Sequence, residues 1–496
     1  MAKNINAGRI ELRRQLNASD VTSLVVGSII GADIYIAAAM GAKLVGPLSL
    51  VIWLAAGAMA IIIALSFAYS ATILPKVGGP YAYVKDVAGE PYGFIVGWAL
   101  LLAEWFSLVV FPVAFSTYLL SFFPHLGQHA HIFFKFIFIT IILVTNIFGI
   151  KSAGKFNDLL TIGKLSPLVL LIIAGIVFIT LRPASAFSNF QPFFRGNINN
   201  IGQALVLIFW AYAGFELSTL PADEIREPAK TIPRAIVMGM LIVIIFYVIT
   251  NLVIVSVVDE GSLAASSAPL ITTAARVFRN PPFLLQLGIA IVGIGALISI
   301  VGADESGTIG TSRLAYAMSI DGLLPHQLSK LHRSFNTPYV SLILICATAL
   351  VASVVGTLRS LINSSVFLLS FTYFATCATT LFLERKYEQR ARTLRGKTFI
   401  PVAGVVLSVL LMTQVDITQI ILSLALIAIG IPVYFIFSPK RELKKLKDEF
   451  LSHHAILERT YEQGGRFLAF PYRRLKWMIY RLKKIERAWG HGAGLR

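Results

Sequence analysis

Gly27-Ser28-Ile29-Ile30-Gly31-Ala32-Asp33-Ile34-Tyr35 sits inside an apolar run that extends over 19–45. Two glycines and an acid do not belong in a plain membrane-crossing helix. Glycine tolerates unusual dihedrals, so the chain can unwind at this point. Unwinding frees N–H groups that attract a carboxylate and carbonyls that attract an amine. Gly27 and Gly31 alone would also read as a small-residue packing pair. Asp33 two residues later tips the reading toward a break. A second stretch of this kind, Phe209-Trp210-Ala211-Tyr212-Ala213-Gly214-Phe215-Glu216, lies inside the run 199–220.

The rest of the chain agrees with a membrane setting. Of 496 residues, 56% are hydrophobic and 14% charged, with mean hydropathy +0.76. A soluble domain carries about 25% charged residues. Disorder needs low hydrophobicity and is excluded. Cys346 and Cys377 both lie in apolar runs and make no disulfide framework. Twelve apolar runs occupy roughly 19–45, 48–74, 92–123, 131–150, 158–181, 199–220, 235–258, 283–318, 338–356, 360–383, 399–414 and 416–437. Backbone polar groups in lipid must be satisfied within each segment, and no barrel-like alternation is present, so the runs predict helices. The expected fold is an all-α polytopic membrane protein. A cleavable signal peptide is not expected, because the first run is too long and no small-residue cleavage site follows a short apolar core. Breaks in runs one and six suggest two five-helix repeats, over 19–181 and 199–383, with 399–437 as two added helices.

Basic residues set the orientation. With the N-terminus inside, 36 of the 43 Lys and Arg fall on the inner side and 7 on the outer; without the C-terminal tail the division is 21 to 7. Both the N-terminal tail, 1–18, and the C-terminal tail, 438–496, are therefore expected in the cytoplasm, with the spans in the cytoplasmic membrane. From Pro439 onward the chain carries 15 basic and 6 acidic residues. There Leu475, Met478, Ile479, Leu482, Ile485 and Trp489 share one helical face. A basic amphipathic helix of this kind suits anionic lipids, and a solvated positive-inside tail reads equally well. No nucleic-acid reading module is recognisable.

Three outer-loop histidines, His125, His129 and His131, have no carboxylate or cysteine partner nearby and read as a polar loop rather than a metal site. No phosphate-binding loop, HExxH or GxSxG motif occurs, so neither an enzyme nor a cofactor is expected. The sharper signal is the set of ionisable residues inside apolar runs: Asp33, Glu104, Lys164, Glu216, Asp304 and Glu305. Such groups are costly at bilayer depth and usually face a cavity. The adjacent Asp304 and Glu305 repel one another when both are charged. Together these acids suit a proton-coupled carrier or a site for a cationic group.

At these residues the chain resembles the amino acid permeases of the amino acid–polyamine–organocation superfamily, over roughly 19–437. Gly27 to Asp33 resembles that family's glycine-rich first-helix motif. Gly78-Gly79-Pro80-Tyr81-Ala82-Tyr83-Val84, then Gly93-Phe94-Ile95-Val96-Gly97-Trp98, resembles its re-entrant loop and third-helix entry. Tyr212 to Glu216, then Glu224, Pro228 and Ile232-Pro233-Arg234-Ala235-Ile236, resembles its sixth helix and following loop. Thr311-Ser312-Arg313, Asp321-Gly322, Leu324-Pro325 and Thr337-Pro338 resemble its eighth helix and following loop.

The resemblance implies an inverted five-plus-five helix fold and alternating access. It implies that backbone around Ile30, Gly31 and Ala32 holds a substrate carboxylate, and that carbonyls around Trp210, Tyr212 and Ala213 hold the α-amine, with Trp210 as an aromatic gate; Asp33, Glu104 and Gly214 join the expected substrate-binding set. Lys164 resembles a fifth-helix lysine whose ammonium takes the place of sodium in sodium-coupled cousins, which favours proton symport or exchange. Glu216 resembles a sixth-helix acid assigned to coupling, and Asp304 and Glu305 join that group here. Asp33 departs from the pattern, which has a small residue there. Its carboxylate would oppose a substrate carboxylate and favour a cationic end; Glu104 leans the same way. The expected partner is a small amino acid or amine, with protons. A polyamine carrier, an inorganic cation pathway such as for potassium, and a nutrient sensor that signals through the basic tail stay open beside the amino acid permease.

Overall fold

The computed structural model describes residues 16–438 apart from 77, 124, 128, 150–153, 221–224 and 392–397, and the backbone alone of 154–162. The amphipathic face expected in the C-terminal tail, most of the N-terminal tail and Glu224 lie outside the described residues.

All twelve apolar runs are helical. The first run is two helices, α1 (Ala18–Ile29) and α2 (Ala32–Val45). The next four are α3 (Ser49–Ile73), α5 (Glu90–Phe122), α6 (His129–Phe148) and α7 (Gly154–Leu181), with a short α4 (Pro80–Ala88) before α5. After α8 (Pro183–Ser188) come α9 (Ile198–Trp210), which ends early, and α10 (Pro228–Val257). Two short helices, α11 (Glu260–Ala265) and α12 (Pro269–Val277), precede the long α13 (Pro282–Ile320). Then follow α14 (Tyr339–Val355), α15 (Leu358–Lys386), α16 (Glu388–Ala391), α17 (Phe399–Gln414) and α18 (Ile417–Phe437). Among the described residues nine helical segments are long and apolar enough to cross a bilayer, one of them running Ala32–Ile73 through a tight turn; three shorter apolar helices, α1, α14 and α17, complete the set. The protein is an all-α polytopic membrane protein.

Local chemistry sets the key boundaries. Asn17 caps α1: its side chain accepts from Ser19 N–H at 2.8 Å and Asp20 N–H at 3.2 Å, and Asp20 returns a bond to the Asn17 N–H at 2.8 Å. α1 stops because Ile30 turns extended, with ψ 100°, and Gly31 is non-helical too, with φ −147° and ψ −137°. The two residues between helices open a gap in the hydrogen-bond ladder. α9 stops at Trp210. Ala211, Tyr212 and Ala213 then bond back three residues rather than four, at 2.9–3.0 Å, which tightens the turn. Gly214 follows with φ +119°, a conformation open to glycine, and a side chain there would meet the Ser28 carbonyl at 3.0 Å. A single 3-10 stretch, Phe215–Thr219, completes the run.

The helices around the breaks pack closely. α10 lies against α1 and α3, α13 against α5, α7 and α1, and α15 against α5, α9 and α17. Large apolar side chains on the outside, such as Phe133 and Phe136 of α6 and Ile173 of α7, are exposed; on a membrane protein that surface is a lipid face.

Charges collect at the ends. At the end where α3, α13 and α15 finish and α4 lies, Lys85 Nζ reaches Asp321 Oδ2 at 2.6 Å and Tyr81 donates to the same oxygen at 2.5 Å. Beside it Asp86 gathers Lys76 at 3.2 Å, Lys386 at 2.9 Å and the Tyr387 hydroxyl at 3.1 Å. Partial burial pulls the Asp86 carboxyl up, but these donors outweigh it and hold it below the usual carboxylate range. At the other end Arg195 pairs with Glu260 at 2.6 Å and Arg276 with Asp259 at 2.8 Å.

Candidate functional site

The break between α1 and α2 leaves four carbonyls without helical partners. Side chains from three other helices take most of them. Lys164 of α7 donates its ammonium to the Gly27 carbonyl at 2.9 Å. Tyr247 of α10 donates to the Ile29 carbonyl at 3.0 Å. Ser299 of α13 donates to the Ile30 carbonyl at 3.3 Å. The Ser28 carbonyl faces Gly214. Lys164 is only 2% exposed, so its ammonium is held inside the bundle. Gly31 is required by close approach: a Cβ there would run into Ala303 and stand 3.0 Å from both Phe111 and Asp33 Oδ1.

Asp33 lies in the first turn of α2 and is 4% exposed. Its Oδ2 accepts from the Tyr247 hydroxyl at 2.5 Å. One hydroxyl thus contacts both the carboxylate and the end of α1. Trp53, Tyr212 and Tyr247 form an edge-on cluster behind it, with centroids 5.3–5.7 Å apart.

The second break is held by Glu216, which is fully buried. Its Oε1 accepts from the Gly214 N–H at 2.9 Å, and its Oε2 from the Tyr373 hydroxyl of α15 at 3.0 Å. Glu104 of α5, 5% exposed, lines the same cavity as Glu216. The two breaks touch: Ser28 Oγ donates to the Gly214 carbonyl at 3.1 Å. Trp210 spans to α5, its indole N–H donating to Ser107 Oγ at 2.8 Å and its ring lying 6.2 Å from that of Phe111.

Between these elements lies a cavity of about 30 Å³. That is room for about two waters, so a solute enters only after the lining helices separate. Of the residues expected to bind substrate, Asp33, Glu104, Trp210, Ala213 and Gly214 line it, as does Glu216 from the coupling set. Ile30, Gly31 and Ala32 stand at the break itself and are not in the lining. Tyr212 is turned away, its hydroxyl donating to the Trp53 carbonyl at 2.9 Å. Lys164 approaches the break from the α7 side. Asp304 and Glu305 are buried but do not line the cavity, whereas Ala303 and Gly307 do. Neighbours on a helix point about 100° apart, so α13 turns Ala303 and Gly307 to the cavity and Asp304 and Glu305 elsewhere.

Sequence reading missed Tyr247, Ser299, Ser107 and Tyr373. Tyr247, Ser299 and Ser107 are isolated hydroxyls in apolar stretches, Tyr373 is one of several hydroxyls between Ser370 and Thr380, and none has a motif around it. The signal available was burial of a donor, which requires an acceptor from elsewhere in the fold.

A family model described as amino acid permease matches residues 16–444. The chain is 28% identical over 454 residues to the branched-chain amino acid permease BcaP of Bacillus subtilis, covering 88% of this chain and 95% of that protein. It is 28% identical over 445 residues to the human large neutral amino acids transporter small subunit 2, covering 86% of this chain and 81% of that protein. It is 25% identical over 440 residues to the serine/threonine exchanger SteT of Bacillus subtilis, covering 86% of this chain and 97% of that protein.

Proposed function

The chain belongs to the amino acid permease family, and from that premise we propose that it carries amino acids or amines derived from them through the cytoplasmic membrane by alternating access, with a preference for a cationic group and with protons rather than sodium. The observation that carries this reading is the meeting of two broken helices over one cavity. Transporter sites form where half-helices end near mid-membrane. Here the ends of α1, α2 and α9 converge, and Ser28 ties one break to the other at 3.1 Å. Motion of the α1–α2 and α9–Gly214 elements against the α3, α5 and α15 framework would open the cavity to either side. The two breaks would then belong to two five-helix repeats.

Two features support proton coupling. Lys164 brings a fixed ammonium to the Gly27 carbonyl, where a sodium ion would otherwise collect α1 carbonyls. Glu104 and Glu216 both line the cavity wall, and two carboxylates buried at one site repel, which favours taking up a proton. The lining holds three acids, Asp33, Glu104 and Glu216, which supports the cationic preference. The strong bias of Lys and Arg to one side, 36 of 43, supports cytoplasmic termini.

The test is uptake into proteoliposomes of labelled arginine, leucine, serine and agmatine, under an inward proton gradient, with sodium or choline outside. The expected result is gradient-driven uptake or exchange of at least one of them, equal in the two salts. Absence of flux and of exchange for the whole panel would sink the transport reading.

A further inference from the structure

We propose that the cavity takes a cationic amine that has no carboxylate, because Asp33 already occupies the seat a substrate carboxylate would use. This rests on the transport reading above and names its substrate class.

The first turn of a helix offers unpaired N–H groups and a positive dipole end, which together form a ready anion seat. In α2 that turn begins at Ala32, and Asp33 is its second residue. The side chain folds back on the turn: Oδ1 lies 3.0 Å from where a Gly31 Cβ would stand. Oδ2 is held by Tyr247 at 2.5 Å. The carboxylate is thus anchored by Tyr247 at the start of α2, where a bound anion would sit, and it forms part of the cavity wall. A second carboxylate brought to the same seat would meet a like charge in a poorly solvated site.

An independent observation points to a cation. Glu104 Oε1 is buried and has no hydrogen-bond partner among the described residues, and Glu104 lines the same cavity. A buried acceptor of this kind calls for a donor, and an ammonium supplies one. Among the described lining residues none is basic. Trp210 and Phe111 stand in the same wall, and aromatic rings attract cations, while Leu108 and Leu369 add apolar surface for an organic body. An inorganic ion would gain nothing from that surface.

The experiment compares matched pairs on the purified full-length chain: agmatine against arginine, and 3-methylbutylamine against leucine. Potassium chloride is included as a control. Competition for exchange and thermal stabilisation are read together. The amine of each pair is expected to compete at least about tenfold better than its parent amino acid. Asp33→Gly is expected to shift that ratio at least about tenfold toward the amino acid. A wild-type ratio below tenfold, or one that favours the amino acid, overturns this inference and leaves the transport reading standing. A folded Asp33→Gly protein with an unchanged ratio also overturns it. If that variant fails to fold, the wild-type ratio decides alone. Response to potassium only, or to no compound, overturns the transport reading as well.

Discussion

Lys164→Met removes the ammonium at the first break and keeps an unbranched stem of similar length. The bond lost is the one to the Gly27 carbonyl, 2.9 Å long, made by a residue 2% exposed. Hydrogen bonds to charged groups contribute about 1.5–3 kcal/mol. Part of that is offset because methionine has no charge to desolvate, so a net loss of about 1–2 kcal/mol and a melting temperature lower by a few degrees are expected. The functional effect should be larger, because the carbonyl end of α1 loses its fixed cation just where the helix must pivot: about a tenfold fall in flux, equivalent to about 1.4 kcal/mol of barrier. Gly302→Ala tests the same contact without changing charge. A Cβ at Gly302 would run into Lys164 Cε and stand 2.9 Å from Nζ, so it must displace the ammonium and should reproduce the flux defect. The assay is proteoliposome exchange in sodium or choline, beside a melting curve for each variant. A steep sodium requirement in the wild type, or normal flux in folded Lys164→Met protein, would refute the reasoning.

Three further outcomes are expected. Tyr247→Phe removes the donor shared by Asp33 Oδ2 and the Ile29 carbonyl; at about 1–3 kcal/mol for an unsatisfied buried group, substrate affinity should fall about tenfold or more in a competition assay, and unchanged affinity would show that Asp33 needs no anchor. Asp321→Asn weakens the Lys85 and Tyr81 contacts; the pair is partly exposed, so a modest effect of about twofold to fivefold is expected, seen as faster thiol labelling of a Ser28→Cys protein from that end, and an unchanged or slower rate would show that these contacts do not hold that end closed. Asp86→Asn should matter only when the carboxylate is ionised. Its lowered pKa gives stability that is present above the unfolded value of 3.8 and lost as pH falls through the folded value, so the variant should melt below the wild type at pH 7, by a difference that shrinks as pH falls below 3.8; a difference that does not change with pH would exclude the ion pairs as the cause.

Among the site residues, legibility followed the kind of signal each one gives. Asp33, Glu104 and Glu216 stood out because a carboxyl in an apolar run is costly unless something holds it, and all three line the cavity. Asp304 and Glu305 gave the same signal yet do not, because the rotation of α13 presents Ala303 and Gly307 instead. Glycine-rich stretches located both breaks to within a residue or two. They did not say what the freed carbonyls bind: Tyr247 reaches Ile29 across 218 positions and Ser299 reaches Ile30 across 269. No local pattern encodes such a pairing.

The amino-acid sequence by itself determined the helical runs, their number, the two breaks and the charge bias between the two ends. These follow from constraints that act within a segment: a bilayer demands some twenty apolar residues, a helix satisfies its own backbone, and glycine permits its interruption. Only the tertiary structure decided which acids share one cavity, that Asp33 folds back on the start of α2, and that Lys164 reaches the end of α1. Those outcomes depend on how each helix is rotated and how closely it approaches its neighbours, which is settled by side-chain packing over the whole bundle.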